Sequence, residues 1–242
     1  MSVPVRIAAL LAAFAAVVVL AVFVVFHYIG GYGGTLATVS YTSMAHAGQV
    51  NVVLQEDPQN NSASKPDWVS YFVQDPSTHR WVHTTLFSVP ANTQVNMTIY
   101  GYDGCTPLRN NYWSQIQGTM GGHVTVQQFM KGRALGPVAT TSVINGWSDC
   151  NVAHTFAIPS LNLFVPVASP NAENSANHLC SASPCQPSSG AYAVEKFSFR
   201  TPDHTATYRW QCFIPCGGGF IDGNGGPMQT LGYMTGEMQV VS

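Results

Sequence analysis

The sequence predicts an all-β sandwich that follows a single N-terminal membrane-spanning helix. Residues 7–26 are uncharged and continuously apolar. From residue 49 onward the pattern changes to short apolar and β-branched runs, separated by clusters of Pro, Gly, Asn and Asp. Such runs are typical of strands bounded by turns. Because there are many of them and almost none shows helical periodicity, we expect an antiparallel sandwich or barrel.

The N-terminal apolar segment is long enough to cross a membrane. Residues 7–26 contain no Pro or Gly, and a helix of this length, rising ~1.5 Å per residue, spans a hydrocarbon layer of ~30 Å. A cleaved signal peptide is the alternative, but its apolar core usually runs about 7–15 residues. The small-residue motif at residues 45–48 lies far from the apolar end. We therefore expect an uncleaved anchor.

The basic residues around this segment predict its orientation. Arg6 precedes the apolar segment, and the next basic residue is Lys65. By the positive-inside rule, the rest of the chain lies outside the cytoplasm, on the far side of a cell membrane. The sequence therefore predicts a membrane anchor over residues 1–29, a linker over 30–48 that begins with "GGYGG", and an extracytoplasmic domain over 49–242.

The composition supports a packed core and excludes one class of partner. Apolar residues make up 46% of the chain, and only 8% of residues are charged, against about 25% in typical soluble domains. The net charge is −2 and there is no basic patch. Nucleic-acid binding is therefore not expected, because such proteins neutralise phosphates with clustered Lys and Arg.

The strand predictions follow the chain in order. After "QVNVVLQ" at residues 49–55, the runs are "WVSYFVQ", "RWVHTTLFSV", "VNMTIYGY", "HVTVQQF", "HTFAI", "EKFSFRT", "ATYRWQC" and "MQVV". Two long loops interrupt them. The first, residues 170–190, is polar, and the second, residues 217–232, is rich in glycine. Loops of this length are usually functional or mobile.

The chain has six cysteines, and the predicted compartment permits disulfides. Six cysteines can pair in fifteen ways. Cys180 and Cys185 flank a short turn and are favoured as a local pair, and Cys105 with Cys150 is a reasonable long-range pair. Cys212 and Cys216 are then left together by elimination. The six cysteines of the chain are Cys105, Cys150, Cys180, Cys185, Cys212 and Cys216.

Three segments, in this order, resemble cupredoxins. They are "LFSVPANTQVNMTIYGYDG" at residues 86–104, "NVAHTFAIPSLNL" at 151–163 and "YRWQCFIPCG" at 208–217. The resemblance is closest to the copper domain of cytochrome c oxidase subunit II. It implies a Greek-key cupredoxin-like β-sandwich that binds copper and transfers electrons in or near a respiratory chain. The partners it implies are the membrane and a redox protein or respiratory complex.

The resemblance also implies a set of copper ligands. His154 would supply an imidazole nitrogen, with its other ring nitrogen fixed by a backbone carbonyl or a water. Cys212 and Cys216 match the family's C-x3-C-G loop and would supply thiolates. Met234 lies in the methionine turn before the last strand and would be the thioether ligand, with Met228 as second choice. A set of this kind is soft and favours copper.

One expected ligand is missing from the pattern. In the binuclear site of oxidase subunit II a histidine follows four residues after the second cysteine, and here that residue is Phe220. No histidine follows Cys212 at all. The open position would be taken by a methionine or by Asp222. Zinc held by the two thiolates, the imidazole and a water is a further alternative.

Two other functions remain open from the sequence. One is a metal-free accessory or assembly subunit in which Cys212 and Cys216 form a disulfide. The other is copper delivery, with Met228, Met234 and Met238 holding the metal loosely. The chain contains neither Gly-x-Ser-x-Gly nor a Walker A motif. We therefore expect an electron carrier or an oxidase-type subunit that is not an enzyme by itself.

The remaining histidines lack the sequence context of His154 and are predicted to be structural or surface residues. They are His27, His46, His79, His83, His123, His178 and His204.

Overall fold

A computed structural model of the chain shows two compact units, residues Met1–Gly34 and Thr35–Ser242. The structure describes residues 3–24, 36–58, 68–106, 110–145, 151–170, 180, 182–216 and 226–242. In its described residues, 3–24, the first unit contains one helix, and the second unit contains all the strands described below. The domain boundaries predicted from the sequence stay a prediction. A short strand at Thr38–Ser40 lies within the stretch predicted as the linker.

Helix α1 runs from Val3 to Val24, and none of its residues is buried. Its mean hydropathy is 3.1, so it is long and apolar enough to cross a membrane. A signal sequence would share these properties. The predicted N-terminal apolar helix is therefore confirmed, whereas its retention and orientation stay predictions.

Fourteen strands are present in the described part of the second unit. In chain order they are β1 Thr38–Ser40, β2 Gln49–Asp57, β3 Ser70–Gln74, β4 Trp81–Val82, β5 Leu86–Pro90, β6 Gln94–Gly101, β7 Val124–Met130, β8 Arg133–Ala134, β9 Ala139–Thr141, β10 Val152–Ile158, β11 Leu163–Ala168, β12 Ala191–Arg200, β13 Ala206–Gln211 and β14 Thr235–Val241.

The strands form two sheets. The first has the order β1-β5-β14-β13-β10-β11, and the second has the order β4-β3-β2-β6-β12-β7-β8, with β9 also paired to β7. Three pairs are parallel, namely β1 with β5, β5 with β14 and β2 with β6. The sheets are therefore mixed, whereas the sequence pattern suggested antiparallel pairing. Alternation does not distinguish the two kinds of pairing, because parallel and antiparallel strands share the same period of two.

The two sheets pack face to face around one apolar core. Strand β6 shows the alternation expected when one face of a strand is buried, whereas every residue of β10 is buried. Aromatic contacts cross between the sheets. The ring centroids of Phe156 and Phe197 are 6.1 Å apart, and those of Tyr71 and Trp210 are 5.2 Å apart. The prediction of an all-β sandwich after an N-terminal helix is confirmed.

The predicted disulfide between Cys180 and Cys185 is present, with Cα atoms 5.7 Å apart. The backbone N–H of Cys185 donates a hydrogen bond of 3.0 Å to Asp57, at the end of β2. This bond ties the disulfide loop to the second sheet. Cys105 is also disulfide-bonded. Its predicted partner, Cys150, lies outside the described residues.

A buried carboxyl on β12 should make stability depend on pH. Glu195 is fully buried, and its single hydrogen bond among the described contacts comes from the Ala168 N–H at 2.9 Å. Burial raises the pKa of Glu195 from 4.5 to about 8, and the Ala168 N–H opposes that rise only in part. Between these two values the unfolded chain loses a proton that the folded chain keeps. Stability therefore falls as the pH rises through this window.

We expect Glu195→Gln to reduce this loss by about 1 kcal/mol per pH unit between about pH 4.5 and pH 8, since one group contributes at most ~1.4 kcal/mol per unit. The measurement is urea unfolding of the full-length chain in detergent across this range. Asp57, whose pKa burial raises to about 7, contributes in the same direction and keeps a residual slope in the variant. An identical pH slope in the variant and the wild type would contradict the assignment to Glu195.

Candidate metal centre

Neighbouring strands of the first sheet bring the predicted ligands together. His154 lies in β10, and Cys212 follows directly after β13. The two strands are antiparallel, with Ala157 opposite Gln211. This register sets the end of β13 beside the last residues of β10, so the chain beyond Gln211 continues alongside β10 toward His154. The loop after Cys212 then turns back, because Cys216 lies against the same histidine.

The imidazole and the two sulfurs form a compact buried cluster. His154 Nδ1 is 3.0 Å from Cys216 Sγ and 3.8 Å from Cys212 Sγ, and the two sulfurs are 3.2 Å apart. All three residues are at most 3% exposed. The cysteines are free thiols, as metal ligands require, and the alternative disulfide between them is not formed. Each sulfur instead has hydrogen-bond partners of its own.

Backbone groups distinguish the two sulfurs. Cys212 Sγ accepts from the N–H groups of Thr155 at 3.3 Å and Ile214 at 3.4 Å. Cys216 Sγ donates to the Ile214 carbonyl at 2.8 Å, and Cys212 Sγ lies farther from the same carbonyl oxygen, at 3.5 Å. Two N–H donors favour negative charge on Cys212, and a carbonyl acceptor keeps the proton on Cys216. The pair is therefore organised to hold a thiolate at Cys212.

The pKa values follow this asymmetry. Burial alone would raise the pKa of the Cys212 thiol, but hydrogen bonds from Cys216, His154 and the Thr155 N–H lower it well below its ordinary value. Burial raises the pKa of Cys216 well above its ordinary value, and the neighbouring Cys212 adds to the rise. A low thiol pKa is the condition for a good metal ligand or nucleophile.

The second ring nitrogen of His154 contacts two carboxylates. Nε2 donates to Asp103 Oδ2 at 3.0 Å, and Glu56 Oε1 lies 3.1 Å from the same nitrogen. The sequence led us to expect a backbone carbonyl or a water here, and that expectation is wrong. Burial would lower the pKa of His154, but the charges of Cys216 and Glu56 and the bond to Asp103 raise it well above its ordinary value.

The donor set fits a soft or borderline metal ion. One imidazole nitrogen and two sulfurs lie within 4.8 Å of one another. Thiolate and imidazole ligands suit copper and zinc, whereas hard cations such as Mg²⁺ prefer oxygen. His154, Cys212 and Cys216 would hold such an ion. The structure thus brings together three of the four residues predicted as first-choice ligands.

The predicted methionine ligands are less closely tied to this cluster. Met234 is fully buried, and its carbonyl accepts the Cys212 N–H at 2.9 Å, so its backbone adjoins the cluster. Its thioether stays a predicted ligand. Met228 packs at the edge of the core, and Met238 lies in the core. Asp222 and Phe220 lie outside the described residues.

A cavity of about 270 Å³ opens beside the cluster. Its polar lining includes Asp103, His154 and Cys216, and its apolar lining includes Trp68 and Pro215. It gives a metal ion or a small molecule access to the cluster. In the loop after β13, Phe213 stacks on Trp113, with ring centroids 4.8 Å apart and planes inclined by 9°.

Comparisons with known proteins match rusticyanin among solved structures. The chain is 15% identical to a structure of the copper protein rusticyanin (90% of this chain, 92% of that one) and to reduced rusticyanin (90% and 94%), each with a TM-score of 0.33. Rusticyanin from Thiobacillus ferrooxidans is 14% identical over 90% and 92%, with a TM-score of 0.32. No protein-family model and no curated protein matches the chain. The resemblance to oxidase subunit II stays a prediction.

The sequence argument missed Glu56 and Asp103. Both were visible as acidic residues next to predicted strands, in "LQED" and "GYDG". Nothing in either segment links it to His154, which lies 51 residues beyond Asp103. Only the packing of the second sheet against the first brings these carboxylates to the imidazole.

Proposed function

We propose that this chain is a membrane-anchored cupredoxin-like protein that binds copper and transfers electrons. The observation that carries the proposal is the buried cluster of His154, Cys212 and Cys216. Its sulfur and nitrogen atoms lie 3.0–3.8 Å apart. This distance range suits ligands that share one metal ion or a close pair of ions, because bonds to sulfur and nitrogen are about 2.0–2.3 Å long.

The surroundings of the cluster support electron transfer over hydrolysis. Copper, when bound, supplies a one-electron couple between its two oxidation states. His154 sits on a fully buried strand, and Cys212 is held by two backbone N–H groups, so neither ligand has room to rearrange. Rigid ligands keep the geometry similar in both oxidation states. Cys212 provides a covalent path from the metal into β13.

The apolar helix supports placement at a membrane surface. If α1 is retained, it tethers the sandwich, and the basic Arg6 at its start orients the sandwich outside the cytoplasm. We propose that the electron partner is a redox protein or respiratory complex in the same membrane. A donor set without a second histidine in the cysteine loop makes this centre a variant of the cupredoxin site.

The test is copper binding by the full-length chain in detergent. The purified, reduced protein is titrated with Cu(II), the visible spectrum is recorded, and bound metal is quantified after desalting. We expect stoichiometric copper and an intense thiolate-to-copper absorption band that disappears on reduction and returns on reoxidation. Surface copper, bound by exposed histidines such as His204, would give only weak absorption.

Three results would contradict the proposal. Absence of bound copper after the titration, together with absence of titratable thiols in the protein as purified before reduction, would indicate an oxidised, metal-free subunit. A colourless complex formed with Cu(I) alone would indicate delivery in place of electron transfer. Preference for Zn(II) over copper in a competition titration would remove the redox function.

A further inference from the structure

We infer that Glu56 and Asp103 form a carboxylate clamp on His154 that positions its Nδ1 for the metal and retains the metal despite the missing second imidazole. This inference rests on the proposed function. The clamp consists of the two carboxyl groups that have an oxygen 3.0 Å (Asp103) and 3.1 Å (Glu56) from His154 Nε2. Neither residue is expected to bind the metal, and each acts through the histidine.

The clamp fixes which nitrogen faces the sulfurs. Asp103 Oδ2 accepts the Nε2–H of His154 at 3.0 Å, and Glu56 Oε1 lies 3.1 Å from the same nitrogen. An imidazole whose Nε2 carries a proton has only Nδ1 available as a metal ligand. Nδ1 is the nitrogen that lies 3.0 Å from Cys216 Sγ. The carboxylates therefore select the ring orientation that the cluster needs.

The clamp is itself rigid, because Glu56 braces Asp103. Glu56 Oε2 accepts the backbone N–H of Asp103 at 3.2 Å, and the Glu56 carbonyl accepts the N–H of Tyr102 at 3.0 Å. Asp103 Oδ1 also accepts the N–H of Gly104 at 2.7 Å. Glu56 is fully buried, so these contacts are shielded from water. They anchor the loop after β6 to β2.

The arrangement joins the two sheets at the metal cluster. Glu56 belongs to β2 in the second sheet, and His154 belongs to β10 in the first sheet. A buried carboxyl is costly unless it is paired. The pairing of Glu56 with a histidine that would bind the metal explains why this carboxyl is buried between the sheets. Carboxylates bonded to a ligand histidine raise the basicity of its other nitrogen and typically change metal affinity by about 10- to 100-fold.

The Asp103 carboxylate should favour the more highly charged oxidation state of the copper. Asp103 is about one-quarter exposed and borders the cavity beside the cluster. A negative charge within hydrogen-bond distance of the ligand ring stabilises Cu(II) relative to Cu(I). Replacing Asp103 with the neutral Asn, which keeps an acceptor oxygen, should therefore raise the reduction potential. Replacing it with Ala removes the acceptor as well.

The experiment compares Asp103→Asn, Asp103→Ala and Glu56→Gln with the wild type in the full-length chain. The matched control is Glu195→Gln, which alters another fully buried carboxyl that contacts Ala168 and not the cluster. Copper dissociation constants are measured by competition with a chelator, and the reduction potential is measured by redox titration. We expect Asp103→Ala to weaken copper binding by about 10- to 100-fold, Asp103→Asn to raise the potential, and the control to change neither.

A second measurement needs no metal. In the reduced, metal-free protein, the side-chain Nε2–H of His154 is followed by ¹⁵N-resolved NMR, and His154→Gln identifies its signal. We expect a protected signal in the wild type and in Glu195→Gln, and its loss through fast exchange in Asp103→Ala. Circular dichroism checks that each variant is folded. If Asp103→Ala is not folded, Glu56→Gln, which keeps the side-chain size, takes its place in this measurement.

The outcomes separate the inference from the proposed function. The clamp would be overturned if the copper affinities of Asp103→Ala and Glu56→Gln both stayed within twofold of the wild type. It would also be overturned if the Nε2–H signal of Asp103→Ala were the same as that of the wild type. In a different outcome, the wild type binds no copper, but its Nε2–H signal is lost in Asp103→Ala. That result would overturn the proposed function and leave the clamp in place.

Discussion

Replacing Cys212 with Ser should abolish the coloured copper centre. We expect the thiolate-to-copper absorption band to disappear and copper affinity to fall by more than about 100-fold, beyond the loss typical of residues that only support a ligand. A serine hydroxyl at this position keeps its proton at neutral pH and is a hard donor. It therefore cannot replace a thiolate toward copper. The measurements are the visible spectrum and a chelator competition.

The local hydrogen bonds explain why Cys212 should matter more than Cys216. Two backbone N–H groups, from Thr155 and Ile214, point at Cys212 Sγ, and none of the described backbone N–H groups points at Cys216 Sγ. These donors remain in Cys216→Ser. We therefore expect that variant to retain a coloured, weaker complex. It is the matched control, because it alters the same chemistry four residues away.

The same asymmetry can be tested without metal. At neutral pH the reduced wild-type protein should contain one buried thiolate, because the pKa of Cys212 lies well below its ordinary value and that of Cys216 lies well above it. Its ultraviolet thiolate absorption should be absent in Cys212→Ser. Equal losses of copper binding in the two serine variants, or a thiolate signal that persists in Cys212→Ser, would contradict the assignment of Cys212 as the principal ligand.

Local sequence patterns predict the strands of this protein better than their arrangement. Alternation in β6 and the apolar run of β10 reflect properties of single segments, so they are readable along the chain. The parallel pairing of β5 with β14 joins residues about 150 positions apart. It depends on packing across the whole sandwich. The mixed character of the sheets was therefore not predictable from alternation.

The candidate metal centre shows the same division. His154, Cys212 and Cys216 were predicted because each lies in a segment that resembles a ligand-bearing segment of cupredoxins. The sequence left the state of the two cysteines open between thiolate ligands and a disulfide, since the residue pattern does not show the N–H and carbonyl groups around each sulfur. Glu56 was missed because its partner is on the opposite sheet. Contacts between sheets leave no short-range trace in the sequence.

Replacing Trp210 with Ala should strongly destabilise the sandwich. Trp210 is fully buried two residues before Cys212, and its ring lies 5.2 Å from that of Tyr71 and 5.0 Å from that of Phe156. Its Nε1–H donates to the Thr85 carbonyl at 3.2 Å. We expect the free energy of unfolding to fall by about 5 kcal/mol, from the cavity together with the lost hydrogen bond.

The backbone opposite the indole is shaped to admit it. Gly236 on β14 pairs with Trp210, and a Cβ added there would lie 2.6 Å from the indole Cε2 and overlap the Thr85 carbonyl oxygen. Only glycine therefore fits beside this ring. The surrounding strands cannot close over the space that the indole leaves. Trp210→Ala should therefore produce a lasting cavity in the core beside β13. This cavity would lie two residues before Cys212, the first cysteine of the metal cluster.

Urea unfolding of the full-length chain in detergent measures this effect, with two control variants. Trp210→Phe keeps an apolar ring and should lose less than half as much stability. Trp113→Ala removes a partly exposed tryptophan that stacks on Phe213 and packs against the edge of the inter-sheet core, and it should cost at most about 2 kcal/mol. A loss in Trp210→Ala no larger than that in Trp113→Ala would show that the indole does not hold β13 and its cysteine loop in place.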